Sequence, residues 1–257
     1  MNLEDNILWF KSLRKFNYLN VLKFAKIYFN PIIIVGCGRS GTSLLLSIIS
    51  SHSNVFGFNK ETEVLMHEIK YGKLLTLINN FRKLLPYTGK IPIKKSAMYW
   101  CEKSPRNIRF IKSILQTYPN VKIIHIVRDG RAVITSKHPL TKNYWLSKER
   151  WIYDVNKGLK YKNDPNIMTI KYEDLINQTK NASIQLCEFL NIPFDEKMLN
   201  YDQHSDVKNM HSFHGGAVNK IYKDALLKWK NPEHEKLIAE AYSDKSFLDL
   251  LKKLNYI

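Results

Sequence analysis

Residues 31–51 read Pro31-Ile-Ile-Ile-Val-Gly-Cys-Gly-Arg-Ser-Gly-Thr-Ser-Leu-Leu-Leu-Ser-Ile-Ile-Ser-Ser51. The opening run, Ile32 to Val35, is apolar and β-branched, the pattern of a strand buried on both faces. Gly36, Gly38 and Gly41 then supply a turn that tolerates positive φ and carries no side-chain bulk. Leu44, Leu45, Ile48 and Ile49 recur on one face of a helix that follows. Strand, glycine turn and helix start together predict a phosphate cradle. Backbone N–H groups point inward there, and the helix dipole favours an anion.

Gly36 and Gly41 keep the Walker spacing of glycine, four residues, glycine. Thr42 stands where the Walker lysine belongs, and the fixed cation sits inside the loop at Arg39. The loop therefore reads as built for phosphate, but not for ordinary ATP or GTP chemistry. The bland alternative is a glycine turn joining any buried strand to any helix. The flanking strand and helix, with the Arg39-Ser40-Gly41-Thr42 core between them, favour the functional reading.

The 257 residues are read as one domain, 1–257, with 1–30 as an N-terminal helical extension. A hydrophobic fraction of 44% makes a packed core feasible. The formal net charge is +17, from 40 Lys and Arg against 23 Asp and Glu. Such an excess suits polyanionic partners, although scattered lysines are also ordinary solvated surface. Cys37, Cys101 and Cys187 are too few for a disulfide framework and predict buried thiols in a reducing, cytoplasmic setting. No signal peptide or spanning segment is expected, so a soluble protein is. Residues 7–29 interleave Trp9, Phe10, Leu13 and Phe16 with Lys11, Arg14 and Lys15. They either touch an anionic membrane peripherally or, as the leading reading, pack on the sheet as helices.

Strand-like runs alternate with helical patterns, which predicts an α/β, P-loop-type, three-layer fold: a central parallel sheet with helices on both faces. Expected strands are 54–58, 98–101, 121–127 and 166–171. Helices are expected over 60–71, 74–85 (stopped by Pro86), 105–116, 145–162 and 172–190, and again over 225–230, 235–242 and a last stretch ending near Leu254. Ser104 and Pro105 read as an N-cap and first helical residue, which places Lys103 at a strand's carboxyl end, where ligands of open α/β sheets bind. Arg128 ends strand 121–127 at the same edge, and Ser136 lies eight residues on along the helix expected to follow. A guanidinium and a hydroxyl converging there suit a second phosphate; an exposed Arg-Asp turn is the alternative. Residues 204–223 read as a long loop, a candidate lid carrying Lys220.

Two segments, Gly36-Cys-Gly-Arg-Ser-Gly-Thr-Ser43 and Val127-Arg-Asp-Gly-Arg-Ala-Val-Ile-Thr-Ser136, resemble the sulfotransferases that use 3′-phosphoadenosine 5′-phosphosulfate (PAPS). The first looks like their 5′-phosphosulfate loop and the second like their 3′-phosphate site. The likeness leans toward the tyrosylprotein sulfotransferase branch. His52 to Val64 is similar to the segment carrying that branch's catalytic glutamate, here Glu61, and Glu102-Lys-Ser-Pro105 to the segment supplying a catalytic lysine, here Lys103. Tyr172-Glu-Asp-Leu175 and Ala225-Leu-Leu-Lys-Trp229 also have counterparts. Lys60 departs from the branch, and its membrane anchor and luminal cysteines are not found, so tyrosine is not carried over as the acceptor.

The resemblance implies transfer of a sulfuryl group from PAPS to an acceptor hydroxyl of a saccharide, glycolipid or tyrosine-like group. Glu61 is the expected base, with Arg39 and Lys103 stabilising negative charge. Gly38, Arg39, Ser40, Gly41, Thr42 and Ser43 are expected to hold the 5′-phosphate, Arg128 and Ser136 the 3′-phosphate, with Tyr172 and the lid's Lys220 completing the cofactor set. No metal is implied, and His211 and His214 alone are too few ligands for one. Each assignment has a bland rival: Glu61 and Glu63 as first-turn helix acids, Lys103 as surface, Lys220 as a solvated loop lysine, and His125 as a core histidine. Two other functions stay open. One is a P-loop kinase or NTPase with Asp129 imitating a Walker-B acid. The other is a non-catalytic nucleic-acid or membrane-surface module, although no nucleic-acid motif is present and no nucleic acid is expected as a partner.

Overall fold

The computed structural model describes residues 18–88, 92–138, 140–205, 207 and 226–257. Five strands form one parallel sheet: β1 (Pro31–Gly36), β2 (Val55–Gly57), β3 (Tyr99–Lys103), β4 (Lys122–Val127) and β5 (Ile167–Lys171), in the order β2-β3-β1-β4-β5. β1 lies at the centre with all six residues buried, as its uninterrupted apolar run requires. The pleat then sorts its side chains. Ile32 and Ile34 face one layer, with α2 (Thr42–Ser51), α7 (Tyr172–Asn177) and α8 (Thr179–Leu190). Ile33 and Val35 face the other, with α1 (Tyr18–Ile27), α3 (Lys73–Thr88) and α4 (Ile111–Thr117). Each fully buried aliphatic chain contributes about 1.5–3 kcal/mol of transfer free energy. A smaller cluster joins α6 (Lys148–Leu159) to α11 (Lys245–Lys253) and α10 (Glu235–Tyr242) beside α5 (Gly130–Ile134). The remaining short helix, α9, spans Tyr201–His204.

Register decides what meets at the carboxyl edge. Ile34 of β1 pairs with Lys103 of β3, and Gly36 pairs with Ile126 of β4. The chain leaves β1 toward β2 and leaves β4 toward β5, so the crevice between their ends is the topological switch point.

Several predicted elements differ in extent. No helix forms over 60–71. Glu102 and Ser104 take the N–H groups of Thr62 and Glu63, and Glu63 sits at φ 54, so the helical ladder has no place to start. Pro86 lies inside the last turn of α3 rather than ending it. A 3-10 turn, Pro105–Arg109, precedes α4 because the Ser104 hydroxyl bonds Glu102 instead of capping. Gln178, at φ −135, splits 172–190 in two. The helix predicted over 145–162 is shorter, beginning at the N-cap Ser147. Ser136 lies just past the end of α5 rather than along it. Over the described part of 225–230 the expected helix is replaced by 3-10 structure, with Lys228–Lys230 as a 3-10 turn. Helix packing at the N-terminus is as expected over 18–27, where Phe24 stacks on Phe81 of α3 at 5.7 Å and meets Trp100 edge-on. Residues 1–17 lie outside the described set.

His125 is the core histidine that its apolar strand suggests: fully buried, packed against Gly158 of α6 so closely that a Cβ there would lie 2.3 Å from the ring. Burial pushes the imidazole down from 6.5 to about 4. Between those values the unfolded chain binds a proton that the folded one refuses, so stability must fall as pH drops through this window. Denaturant titrations should show about 3 kcal/mol more loss between pH 7 and 4 in the wild type than in His125→Gln. Equal losses would remove His125 as the cause.

Candidate active site

The glycine turn after β1 folds as a cradle. Arg39 takes the left-handed region at φ 65 and Gly41 follows at φ 88, with α2 starting at Thr42. Glycine is required at 41 twice over: a Cβ would be strained at that φ and would meet the Tyr172 ring at 2.3 Å. Ser40 is fully buried beneath the turn, and its hydroxyl has no hydrogen-bond partner among the described residues. A buried orphan hydroxyl is costly unless a ligand completes it.

β4 brings the second cation to the same place. Arg128 Nη1 donates to the Arg39 carbonyl at 3.0 Å, and its guanidinium lies 4.3 Å over the Tyr172 ring. Arg39 Nε in turn donates to Ser136 Oγ at 2.8 Å, and its guanidinium lies 5.1 Å from the Trp145 ring centre. Thus Arg39, Ser40, Gly41, Arg128, Ser136 and Tyr172, spread over 134 positions from 39 to 172, share one crevice. Glu173 braces the corner: it accepts the Asp129 N–H at 3.0 Å and the Tyr256 hydroxyl at 2.8 Å. Burial raises its pKa, opposed by the Asp129 amide and Arg128.

The opposite wall is made by β3. Lys103, its last residue, is 1% exposed, and its Nζ donates to Glu61 Oε1 at 2.5 Å. A buried ammonium needs such a partner. Glu61 is presented by an irregular segment with Glu63 at φ 54, which excludes the first-turn helix reading of Glu61 and Glu63. Glu102 holds that segment in place. One oxygen accepts the Thr62 N–H and hydroxyl, each at 3.1 Å, and the Ser104 hydroxyl; the other accepts from Asn107 Nδ2 at 2.8 Å. Desolvation raises the Glu102 pKa, while these donors and Lys103 pull it back. Between the two walls lies a cleft of about 390 Å³ whose lining includes Gly38, Arg39, Thr42, Ser43, Glu61 and Lys103. Trp145, Arg106 and Arg150 also line it, and no local sequence signal marked them. Lys220 and most of the 204–223 loop lie outside the described residues.

Residues 29–244 match the sulfotransferase domain family. The chain belongs to the sulfotransferase family. Its reaction is accordingly sulfuryl transfer. Protein-tyrosine sulfotransferase A of Caenorhabditis elegans is 24% identical over 262 residues, covering 88% of this chain and 67% of that protein. The sulfotransferase domain from the curacin biosynthetic pathway has a TM-score of 0.59 at 18% identity, covering 89% of this chain and 98% of that one. A mouse sulfotransferase solved with PAP has a TM-score of 0.51 at 17% identity, covering 89% of each chain. At these identities the two structures show a shared fold. Neither the kinase nor the non-catalytic reading is favoured in this sulfotransferase. Asp129, the imitation Walker-B acid, is bound by the Arg131 backbone and guanidinium, with the shortest contact at 2.7 Å. That leaves it poorly placed to hold magnesium.

Glu102→Gln tests the brace. It turns one acceptor into a donor facing donors, and should cost about 1–3 kcal/mol in thermal or urea unfolding. It should also lower kcat, because Glu61 and Lys103 lose their alignment. A variant that melts and turns over like wild type would remove Glu102 from this role.

Proposed function

We propose that the donor is PAPS and that its sulfuryl group passes to an acceptor hydroxyl of a saccharide, glycolipid or tyrosine-like group. The observation that carries this reading is the convergence of Arg39, Arg128 and Ser136 on one glycine cradle, across a cleft from the Lys103–Glu61 pair. A donor phosphorylated at both ends of its ribose needs more than one cationic group at its site. PAP, present in the mouse relative's structure, is PAPS without its sulfuryl group. The orphan Ser40 hydroxyl and the Gly41 turn fit an anion in the loop.

The donor supplies a sulfuryl group on a phosphate leaving group. The acceptor oxygen forms the new S–O bond, the bond to phosphate breaks, and the acceptor's proton goes to Glu61. Backbone amides of residues 38–43, with the Thr42 and Ser43 hydroxyls, hold the 5′-phosphate. Arg128 and Ser136 bind the 3′-phosphate, with Tyr172 supporting Arg128 from below. Lys103 and Arg39 neutralise charge that develops on the transferring group and the leaving phosphate. Lys103 also holds Glu61 at the cleft while no acceptor is bound. Lys220 is proposed to close over the donor. A reducing, cytoplasmic setting is supported by three buried cysteines with free thiols.

Two measurements test these roles. Arg128→Ala should weaken PAP and PAPS binding by about 10–100-fold, as lost charge-assisted hydrogen bonds do, and ATP binding by much less. Melting shifts with the three nucleotides, compared side by side, read this out; equal losses would defeat the 3′-phosphate assignment. Glu61→Gln should reduce kcat by about 10²–10⁴-fold while PAP affinity stays within about twofold. Full activity in that variant would move the base elsewhere.

A further inference from the structure

The outer surface of α1 and α3 carries exposed apolar side chains among the described residues. Tyr18, Leu19, Leu22 and Phe29 are exposed along and just after α1, with Tyr18 at 72% and Leu19 at 65%. Tyr71, Leu74, Leu75 and Ile78 are exposed at the start of α3, with Tyr71 at 77% and Leu74 at 70%. The helices run antiparallel against each other. Asn20 Nδ2 donates to the Thr88 carbonyl at 3.0 Å, and at the other end the Tyr28 hydroxyl donates to the Leu77 carbonyl at 2.6 Å. Tyr18, Leu19 and Leu22 therefore lie toward the first bond and Phe29 and Ile78 toward the second, so the exposed apolar residues are spread along the two-helix surface.

Charge selects the occupant. Residues 18–30 and 69–88 contain Lys23, Lys26, Lys70, Lys73, Arg82 and Lys83, and no Asp or Glu. Large apolar side chains accompanied by this excess of cations, with exposed Glu68 just ahead of the second stretch and Lys23 bonded to the Ile93 carbonyl, match the headgroup and upper acyl region of an anionic bilayer. No helix among the described residues is long and apolar enough to cross a membrane, so the contact is one of lying on the surface. We propose that the outer faces of α1 and α3 dock this protein on anionic lipid membrane. The 61–72 segment, which presents Glu61, runs into α3, and His67 Nε2 is 2.8 Å from Asn80 Oδ1 of that helix. Docking would therefore hold the acceptor side of the cleft beside the lipid surface.

The test is vesicle flotation of the full chain. Vesicles of phosphatidylcholine alone are compared with vesicles containing about 30 mol% phosphatidylserine, at low and high salt. Binding should require phosphatidylserine and weaken with salt. Leu19→Gln with Leu22→Gln, and separately Leu74→Gln with Ile78→Gln, should each lower partitioning by about tenfold or more while melting and turnover of a soluble acceptor stay unchanged. Failure to float on phosphatidylserine vesicles at low salt would overturn the proposal. So would flotation that both double variants leave intact but that substitution of Trp9 and Phe10 abolishes. Light scattering that shows a dimer dissociated by the same double variants would instead assign the face to a second copy and overturn it equally.

Discussion

A hydrogen bond from Arg128 to the carbonyl of Arg39 ties the carboxyl end of β4 to the turn after β1. It draws two guanidinium-bearing residues into one crevice, where their like charges disfavour each other in the absence of an anion. Everything around it serves that placement. Tyr172 fills the space beneath both, touching the glycine that starts α2 and the flat face of Arg128. Ser136 and Trp145 fix the Arg39 side chain from the far side. The result is a concentration of positive charge that a doubly phosphorylated nucleotide relieves.

The other wall depends on a carboxylate that does no chemistry. Glu102 is wholly buried and surrounded by donors, and it holds a stretch with helical composition in an irregular, non-helical path. That path is what brings Glu61 within reach of Lys103. A buried charge is tolerated here because its oxygens are matched by donors from the segment it organises and from the turn after β3. The active-site carboxylate is thereby positioned by a neighbour in the strand rather than by its own local structure.

Periodicity and glycine placement made β1, its turn and α2 legible, since these are local in the chain. Arg128 and Ser136 were expected together from the strand end and the motif, but the contacts of Arg39 with Ser136 and of Arg128 with Tyr172 were not, because they cross 97 and 44 positions. The false helix over 60–71 shows the opposite failure. Its propensity was real, but two side chains from β3 and the following turn took the amides it needed. Trp145 and Arg150 were invisible as cleft residues because a loop and a helix start carry no mark of what they will face.

Taken alone, the chain's order of residues determined a buried central strand, a phosphate-binding turn and cationic residues at strand ends, because each rests on neighbours within a few positions. Tertiary structure alone decided that those cations share one crevice, and that Glu61 meets Lys103 across a cleft. Parallel pairing is the physical reason: it stacks every carboxyl end on one edge, and only the register of β1 with β3 and β4 sets which side chains stand there together.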